Sequence, residues 1–304
     1  MIKAGIKDMA ASVKARLLNL AHQTGRTYDE VLVRYALERF LFRLSKSSNK
    51  EIFLLKGGLL LLAKGLSQAR PTRDIDLLAR MPNDPDAVAQ CIRTIGETVL
   101  PDGMVYDFSG MTREALATES DYPGVRLKFS ACLGKARIPM QVDVGFGDRV
   151  VPDPVEMVFP TLLDAEPPVI FGYRPETVIA EKFEAALDLA DLNSRMKDFY
   201  DIWFLCQTCA FDGPVLQEAI IATCRRRKTE IRSEAEMFSD AFASRPEKKR
   251  QWSAFLGKGP LTTAPEDFAL VLNAIRGFLR PIVQACEGNQ KFDFKWSPGG
   301  PWKE

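Results

Sequence analysis

Histidine is nearly missing from this chain: His22 is the one imidazole in 304 residues. A Ser–His–Asp triad, a Cys–His dyad and histidine-ligated zinc all need an imidazole at the reacting centre. His22 lies in an N-terminal helical pattern far in sequence from the motifs described below, so carboxylates and lysines are expected to carry any catalysis. Cysteine is present but scattered, at Cys91, Cys132, Cys206, Cys209, Cys224 and Cys286. Cys206 and Cys209 form the one close pair, no second pair completes a zinc site, and the pair ends a helical pattern rather than following a strand. Reduced structural thiols are expected. Net charge is also small, +1, which gives no global field for a polyanion. Two local clusters, Arg225-Arg226-Arg227-Lys228 and Lys248-Lys249-Arg250, read singly as solvated helix faces, and as a basic patch if folding joins them. Long apolar runs are lacking too. The longest, Gly57 to Ala63, falls far short of the roughly 20 residues that span a bilayer. The start, Met1-Ile2-Lys3-Ala4-Gly5, carries no apolar signal region, so a cytoplasmic protein without a membrane association is expected.

What is present is an ordered succession of patterns. Residues 9–46 read as two amphipathic helices broken near Thr24-Gly25-Arg26, with Thr27 and Glu30 spaced as a capping box. From about residue 51 to 150 the pattern changes: a short apolar segment at Ile52 to Leu55, a Leu-rich helix after Lys56-Gly57-Gly58, a strand from Ile75 to Ala79 and a helix from Ala87 to Val99. Three β-rich segments follow, Met104–Ser109, Gly124–Leu133 and Arg137–Gly145, with Gly134-Lys135 as a turn. Residues 152–175 are proline-rich and read as an irregular connection. Helices are expected from Glu176 to about Leu192 and from Lys197 to Cys206, and a helical pattern then runs to about Glu287 with a break at Gly257-Lys258-Gly259-Pro260. The tail after Gly288 lacks periodicity, so disorder or a packed cap is open for it. The order is that of an α+β protein: N-terminal helices (1–50) packing on a core, an α+β domain (51–160), and a mainly helical C-terminal domain (161–304).

Three features in the middle of the chain carry chemistry. Gly57-Gly58 stands at the mouth of a helix, where backbone N–H groups can approach a phosphate without interference from side chains. In Asp74-Ile75-Asp76 the strand period of two turns both carboxylates to one face while Ile75 enters the core. Two such charges repel unless a proton or a cation joins them, and their hard oxygens suit Mg²⁺. Asp143 is a lone acid inside the apolar segment Gln141-Val142-Asp143-Val144-Gly145, where a charge is rare unless paired or metal-bound. If its strand lies beside Asp76, it becomes a third carboxylate.

With these residues in place the chain resembles the nucleotidyltransferase core shared by polymerase-β-like enzymes, and more closely the AbiEii/AbiGii toxin family, also called MenT-like. The matching segments are Lys56-Gly57-Gly58, Arg70 to Asp76, Val142 to Gly145, Ala180-Glu181-Lys182 and Arg195 to Trp203. The resemblance implies a mixed sheet with flanking helices plus a helical C-terminal domain. It implies Asp74, Asp76 and Asp143 as ligands for Mg²⁺ or Mn²⁺, Lys182 as a contact to the nucleoside triphosphate, and Asp198 as its positioning partner. Asp201, one turn on, is open as the alternative for that last role. Relatives commonly place Ser or Thr just after the glycines, where this chain has Leu59; Arg70 and Arg73 would then serve as phosphate clamps. The implied function is transfer of a nucleotide from an NTP to RNA, foremost the tRNA 3′ end, by a toxin with an antitoxin encoded nearby. A protein or small-molecule acceptor, or a nucleotide-binding module without turnover, are the alternatives.

Overall fold

The computed structural model describes residues 8–63, 72–116, 124–257 and 264–304. Its elements fall into two compact units. The described residues up to 172, apart from 148–154, form the first, and residues 148–154 with 173–304 form the second.

The first unit begins with α1 (Met9–Thr24), which ends at Gly25 in the left-handed region with φ 66°. In α2 (Tyr28–Lys46) both halves of the expected capping box are made: Glu30 N–H donates to the Thr27 hydroxyl, and Thr27 N–H donates to the Glu30 carboxylate. Next come β1 (Phe53–Lys56), α3 (Gly57–Ala63), β2 (Ile75–Ala79), α4 (Pro85–Gly96), β3 (Met104–Leu116), β4 (Gly124–Leu133) and β5 (Ala136–Phe146). With β6 (Val155–Val158) and β7 (Val169–Gly172) the strands build one mixed seven-stranded sheet, in the order β3-β4-β5-β2-β1-β7-β6. The β2–β5 and β1–β7 pairs are parallel and the others antiparallel. Helix α2 packs along β5 and β7 and beside α4, and its Phe40 and Leu41 are fully buried. The expected α+β class with a mixed sheet and flanking helices is therefore what the chain forms.

The connection expected at 152–175 is more regular than its prolines suggest. Strands β6 and β7 lie inside it and extend the sheet, with Leu55 of β1 in register with Gly172 of β7. Pro152, Pro154, Pro160, Pro167 and Pro168 flank the two four-residue runs rather than interrupting them, so no ladder N–H is lost.

The second unit is mainly helical: α5 (Pro175–Leu189), α6 (Met196–Thr208), α7 (Gly213–Arg227), α8 (Asp240–Ser244), α9 (Pro246–Leu256) and α10 (Phe268–Glu287). Short strands β8 (Phe211–Asp212), β9 (Lys295–Trp296) and β10 (Trp302–Lys303) form a small sheet. Among the described residues α10 is the one helix long and apolar enough to cross a bilayer, and its face of Val271, Ile275, Phe278 and Ile282 is buried in the core of this unit. The tail packs as a cap: the Trp296 indole N–H donates to Cys206 O at 2.7 Å and that of Trp302 to Phe278 O at 2.8 Å. All six cysteines are free. Burial pushes the Cys206 thiol up to about 12, which favours the neutral thiol near neutral pH.

Each basic cluster gives up a member to internal contacts. Arg227 Nη1 donates to Glu184 at 2.7 Å, and its Nη2 reaches Asp148 at 3.2 Å. Burial by itself would lower its pKa, but Glu181, Asp148 and Glu184 together raise it. Lys248 is buried and its Nζ donates to the carbonyls of Asp191 and Asn193 at 2.8 Å.

Candidate active site

The sheet register assembles the carboxylates. Asp76 on β2 lies directly beside Asp143 on the parallel strand β5, while Ile75 and Leu77, paired with Val142 and Val144, are buried on the opposite face. Asp74 stands just ahead of β2. One carboxylate oxygen from each of Asp74, Asp76 and Asp143 lies within 4.8 Å of the other two. Three like charges at that spacing are unfavourable without a cation among them, and a set of hard oxygen donors fits a divalent ion such as Mg²⁺ or Mn²⁺.

The carboxylates sit in the middle of a longer charged row. Lys56 of β1 is in register with Asp76, Asp76 with Asp143, Asp143 with Arg126 of β4, and Arg126 with Glu114 of β3. In-register residues of neighbouring strands share a face, so this row places a cation on each side of the two central acids. Arg126 grips Asp143 with two hydrogen bonds, Nε to Oδ1 at 2.9 Å and Nη2 to Oδ2 at 2.7 Å. The hydrogen bond to Asp143 and the nearby charges of Asp143, Glu114 and Asp74 raise the pKa of Arg126 against a smaller effect of burial. Gln141 adds a bond to Asp143 Oδ2 at 3.2 Å, and the Thr72 hydroxyl donates to Asp74 Oδ1 at 2.5 Å.

Glycine fits at two positions of this neighbourhood for steric reasons. Gly57 has φ 66°, and a β-carbon there would stand 2.7 Å from Asp76 Cβ and closer still to its carboxylate. Gly145 leaves room for the Lys56 ammonium, which would lie 3.4 Å from a β-carbon at that position. Gly58 and Leu59 are buried, and Leu59, at 1% exposure, points its side chain into the core, where it offers nothing to a phosphate. Arg73 is exposed and its Nη2 donates to Asp29 at 2.8 Å, a surface ion pair of the weak kind. Arg70 lies outside the described residues.

The second unit carries its own cluster. Lys182 projects from α5 toward α6 and its Nζ meets Asp198 Oδ1 at 2.7 Å and Asp201 Oδ2 at 2.8 Å. Asp198 and Asp201 are buried at 1% and 0% exposure, and Arg195 Nε approaches the other Asp198 oxygen at 2.6 Å. Burial would raise the Asp198 carboxyl, but the Lys182 ammonium and the Arg195 guanidinium outweigh it and hold it below its ordinary value. Both acids between which the sequence left the choice open, Asp198 and Asp201, share the one Lys182 ammonium.

Sequence reasoning missed Arg126 and gave Lys56 no role of its own. The signal for Arg126 was available in the turn Gly134-Lys135. A two-residue turn that pairs Leu133 with Ala136 fixes every later pair of the hairpin, and places Arg126 opposite Asp143.

Likeness to known proteins agrees with this architecture. JHP933 from Helicobacter pylori matches with a TM-score of 0.50 and 13% identity, over 86% of this chain and 97% of that one. A second H. pylori structure, described as a nucleotidyltransferase candidate, matches with a TM-score of 0.46 and 13% identity, over 86% and 96%. At such identity the first of these speaks to the fold alone. No curated protein is similar enough to count as a relative. The family model described as nucleotidyl transferase AbiEii toxin, type IV toxin–antitoxin system, matches residues 39–274. A match over most of the chain, with the carboxylates inside it, makes this protein a member of the AbiEii nucleotidyltransferase toxin family.

Proposed function

We propose that the chain transfers a nucleoside monophosphate from an NTP to an RNA acceptor, foremost the 3′ end of tRNA, and that this modification blocks translation. The observation that carries the reading is the convergence of Asp74, Asp76 and Asp143 within 4.8 Å in a chain of a nucleotidyltransferase family. A bound Mg²⁺ or Mn²⁺ would offset the charge on the phosphates and on the attacking and leaving oxygens. Asp74 and Asp76 would hold the cation, and Asp143 would either join them as a ligand or take the proton from the attacking hydroxyl. The new bond joins the acceptor oxygen to the α-phosphorus, and the bond to pyrophosphate breaks. Lys182 supplies the positive charge for the triphosphate, with Asp198 and Asp201 keeping its ammonium in place. Gly57, Gly58, Arg70 and Arg73 are assigned to the nucleotide's phosphates. A cognate antitoxin would be this toxin's partner, acting in the cytoplasm.

The test is to incubate the purified chain with Mg²⁺, labelled NTPs and total RNA. Label is expected in RNA of tRNA size, and Asp74→Ala is expected to abolish it. Label migrating with protein or a small molecule would replace the acceptor and keep the chemistry. NTP binding without pyrophosphate release in the presence of any acceptor would replace the enzyme with a binding module.

A further inference from the structure

Arg126 brings a planar, permanently charged fork to a carboxylate that is otherwise placed by its strand and one bond from Gln141. Both Asp143 oxygens are engaged, by Nε at 2.9 Å and Nη2 at 2.7 Å, and Gln141 Nε2 reinforces Oδ2 at 3.2 Å. A bidentate guanidinium fixes the plane of a carboxylate as well as its position. The Asp143 side chain is 12% exposed and that of Arg126 33% exposed, so the pair is partly shielded from water. Among the described residues Oδ1 accepts only the Nε bond and keeps a further lone pair, so the grip from β4 and ligation by that oxygen from the side of Asp74 and Asp76 are compatible. The two consequences of this contact have opposite signs. Orientation favours any reaction that needs Asp143 in one place. The positive charge disfavours a divalent cation at the same three carboxylates.

We propose that Arg126 is a positioning residue of the transfer reaction, one that fixes the plane of Asp143 while weakening the hold of the three carboxylates on a divalent cation. The proposal rests on the nucleotidyl-transfer reading of Asp143. A purely structural role for Arg126 would instead lower cation binding, turnover and melting temperature together.

The full-length wild type, Arg126→Gln, Arg126→Lys and Asp74→Asn separate these possibilities. Mn²⁺ affinity is measured by calorimetry without nucleotide, and kcat is measured at saturating Mn²⁺ and NTP. Arg126→Gln is expected to bind Mn²⁺ about fivefold more tightly, because a nearby positive charge is gone. Its kcat is expected to fall by about tenfold, because Asp143 is no longer oriented. Arg126→Lys keeps the charge without the fork, so it should retain wild-type Mn²⁺ affinity and still lose turnover. Unchanged or weaker Mn²⁺ binding in Arg126→Gln, or wild-type kcat in Arg126→Lys, overturns the proposal. If Asp74→Asn binds Mn²⁺ as well as wild type does, the reading of the carboxylates falls and the proposal with it. If Asp74→Asn loses binding but Arg126→Gln matches wild type in both measurements, only the assignment of Arg126 fails.

Discussion

Gly57 and Asp76 occupy adjoining space: a β-carbon at Gly57 would lie 2.7 Å from the β-carbon of Asp76 and closer still to its carboxylate. Lys56, the residue before Gly57, is the register partner of Asp76, so the end of β1 and the carboxylate are locked together by strand pairing. The first glycine of the Gly-Gly turn therefore has a role besides freeing backbone N–H groups. It is the clearance that lets Asp76 stand where Asp74 and Asp143 can meet it.

Substitution to alanine tests that clearance, and the fold supplies its own control. Gly25 has the same φ of 66° but nothing within 4 Å of an added β-carbon. Gly25→Ala should show the backbone cost alone, about 1 kcal/mol. Gly57→Ala should show the same strain and in addition displace the Asp76 carboxylate, with loss of Mn²⁺ binding and of nucleotide transfer. Comparable melting temperatures with loss of binding confined to Gly57→Ala would bear this out. Intact Mn²⁺ binding in Gly57→Ala would sink it.

The parts of the site that were legible in sequence are those with local signatures. Asp74 and Asp76 read from the strand period, Asp143 from being a lone acid in an apolar strand, and α2 from Thr27 and Glu30. The register of Arg126 against Asp143 was also implicit, through the two-residue turn at Gly134-Lys135, but it required carrying the pairing seven residues along the hairpin from Leu133 and Ala136. Strands β6 and β7 left no comparable trace. Each is four residues long between prolines, and β7 is placed by pairing with β1, more than a hundred residues away in sequence. Asp198 and Asp201 were indistinguishable by spacing because residues three apart share a helix face, and it took the position of Lys182 to show that both contact its ammonium.

Removing the Lys182 ammonium should be costly in a pH-dependent way. Lys182→Met leaves Asp198 and Asp201 buried without their shared cation, a loss of about 3 kcal/mol at pH 7. In the wild type the Asp198 carboxyl is held below 3.8, so its contribution is present above that pH and lost as pH falls through the lowered value. Without Lys182, burial dominates and raises this carboxyl, so the variant regains stability as pH falls and the acid is neutralised. The gap between the two proteins in denaturant melts should therefore narrow from pH 7 to pH 4. A gap that stays constant would show that the ion pairs do not set the cost.

Glu38 on α2 gives a second pH dependence, of opposite origin. Burial raises its carboxyl from 4.5 to about 6, against the Leu162 N–H, which donates to it at 2.7 Å, and the charge of Arg39. A raised carboxyl favours the fold fully below 4.5, and that contribution is lost as pH rises through 6. The difference corresponds to about 2 kcal/mol. Glu38→Gln keeps an acceptor for Leu162 and cannot ionise, so its stability relative to wild type should grow by about that amount between pH 4 and pH 7. Parallel pH–stability curves for the two proteins would count against the assignment.

The tail after Gly288 is the last element whose contribution can be measured. Trp296 is 5% exposed, stacks edge-on against Phe278 with centroids 4.8 Å apart, and donates to Cys206 O at 2.7 Å. Gly299 N–H shares that carbonyl at 3.0 Å, and the ring leaves no room for a β-carbon at Gly300. The indole is thus the point where the tail, α6 and α10 meet. Trp296→Ala should cost about 3–5 kcal/mol in thermal or denaturant unfolding, because the ring's contacts are lost and the cavity only partly collapses. Trp296→Phe retains most of the ring while Gly299 still satisfies the carbonyl, so about 1 kcal/mol is expected. If Trp296→Ala is no worse than Trp296→Phe, the tail lies on the helices without holding them.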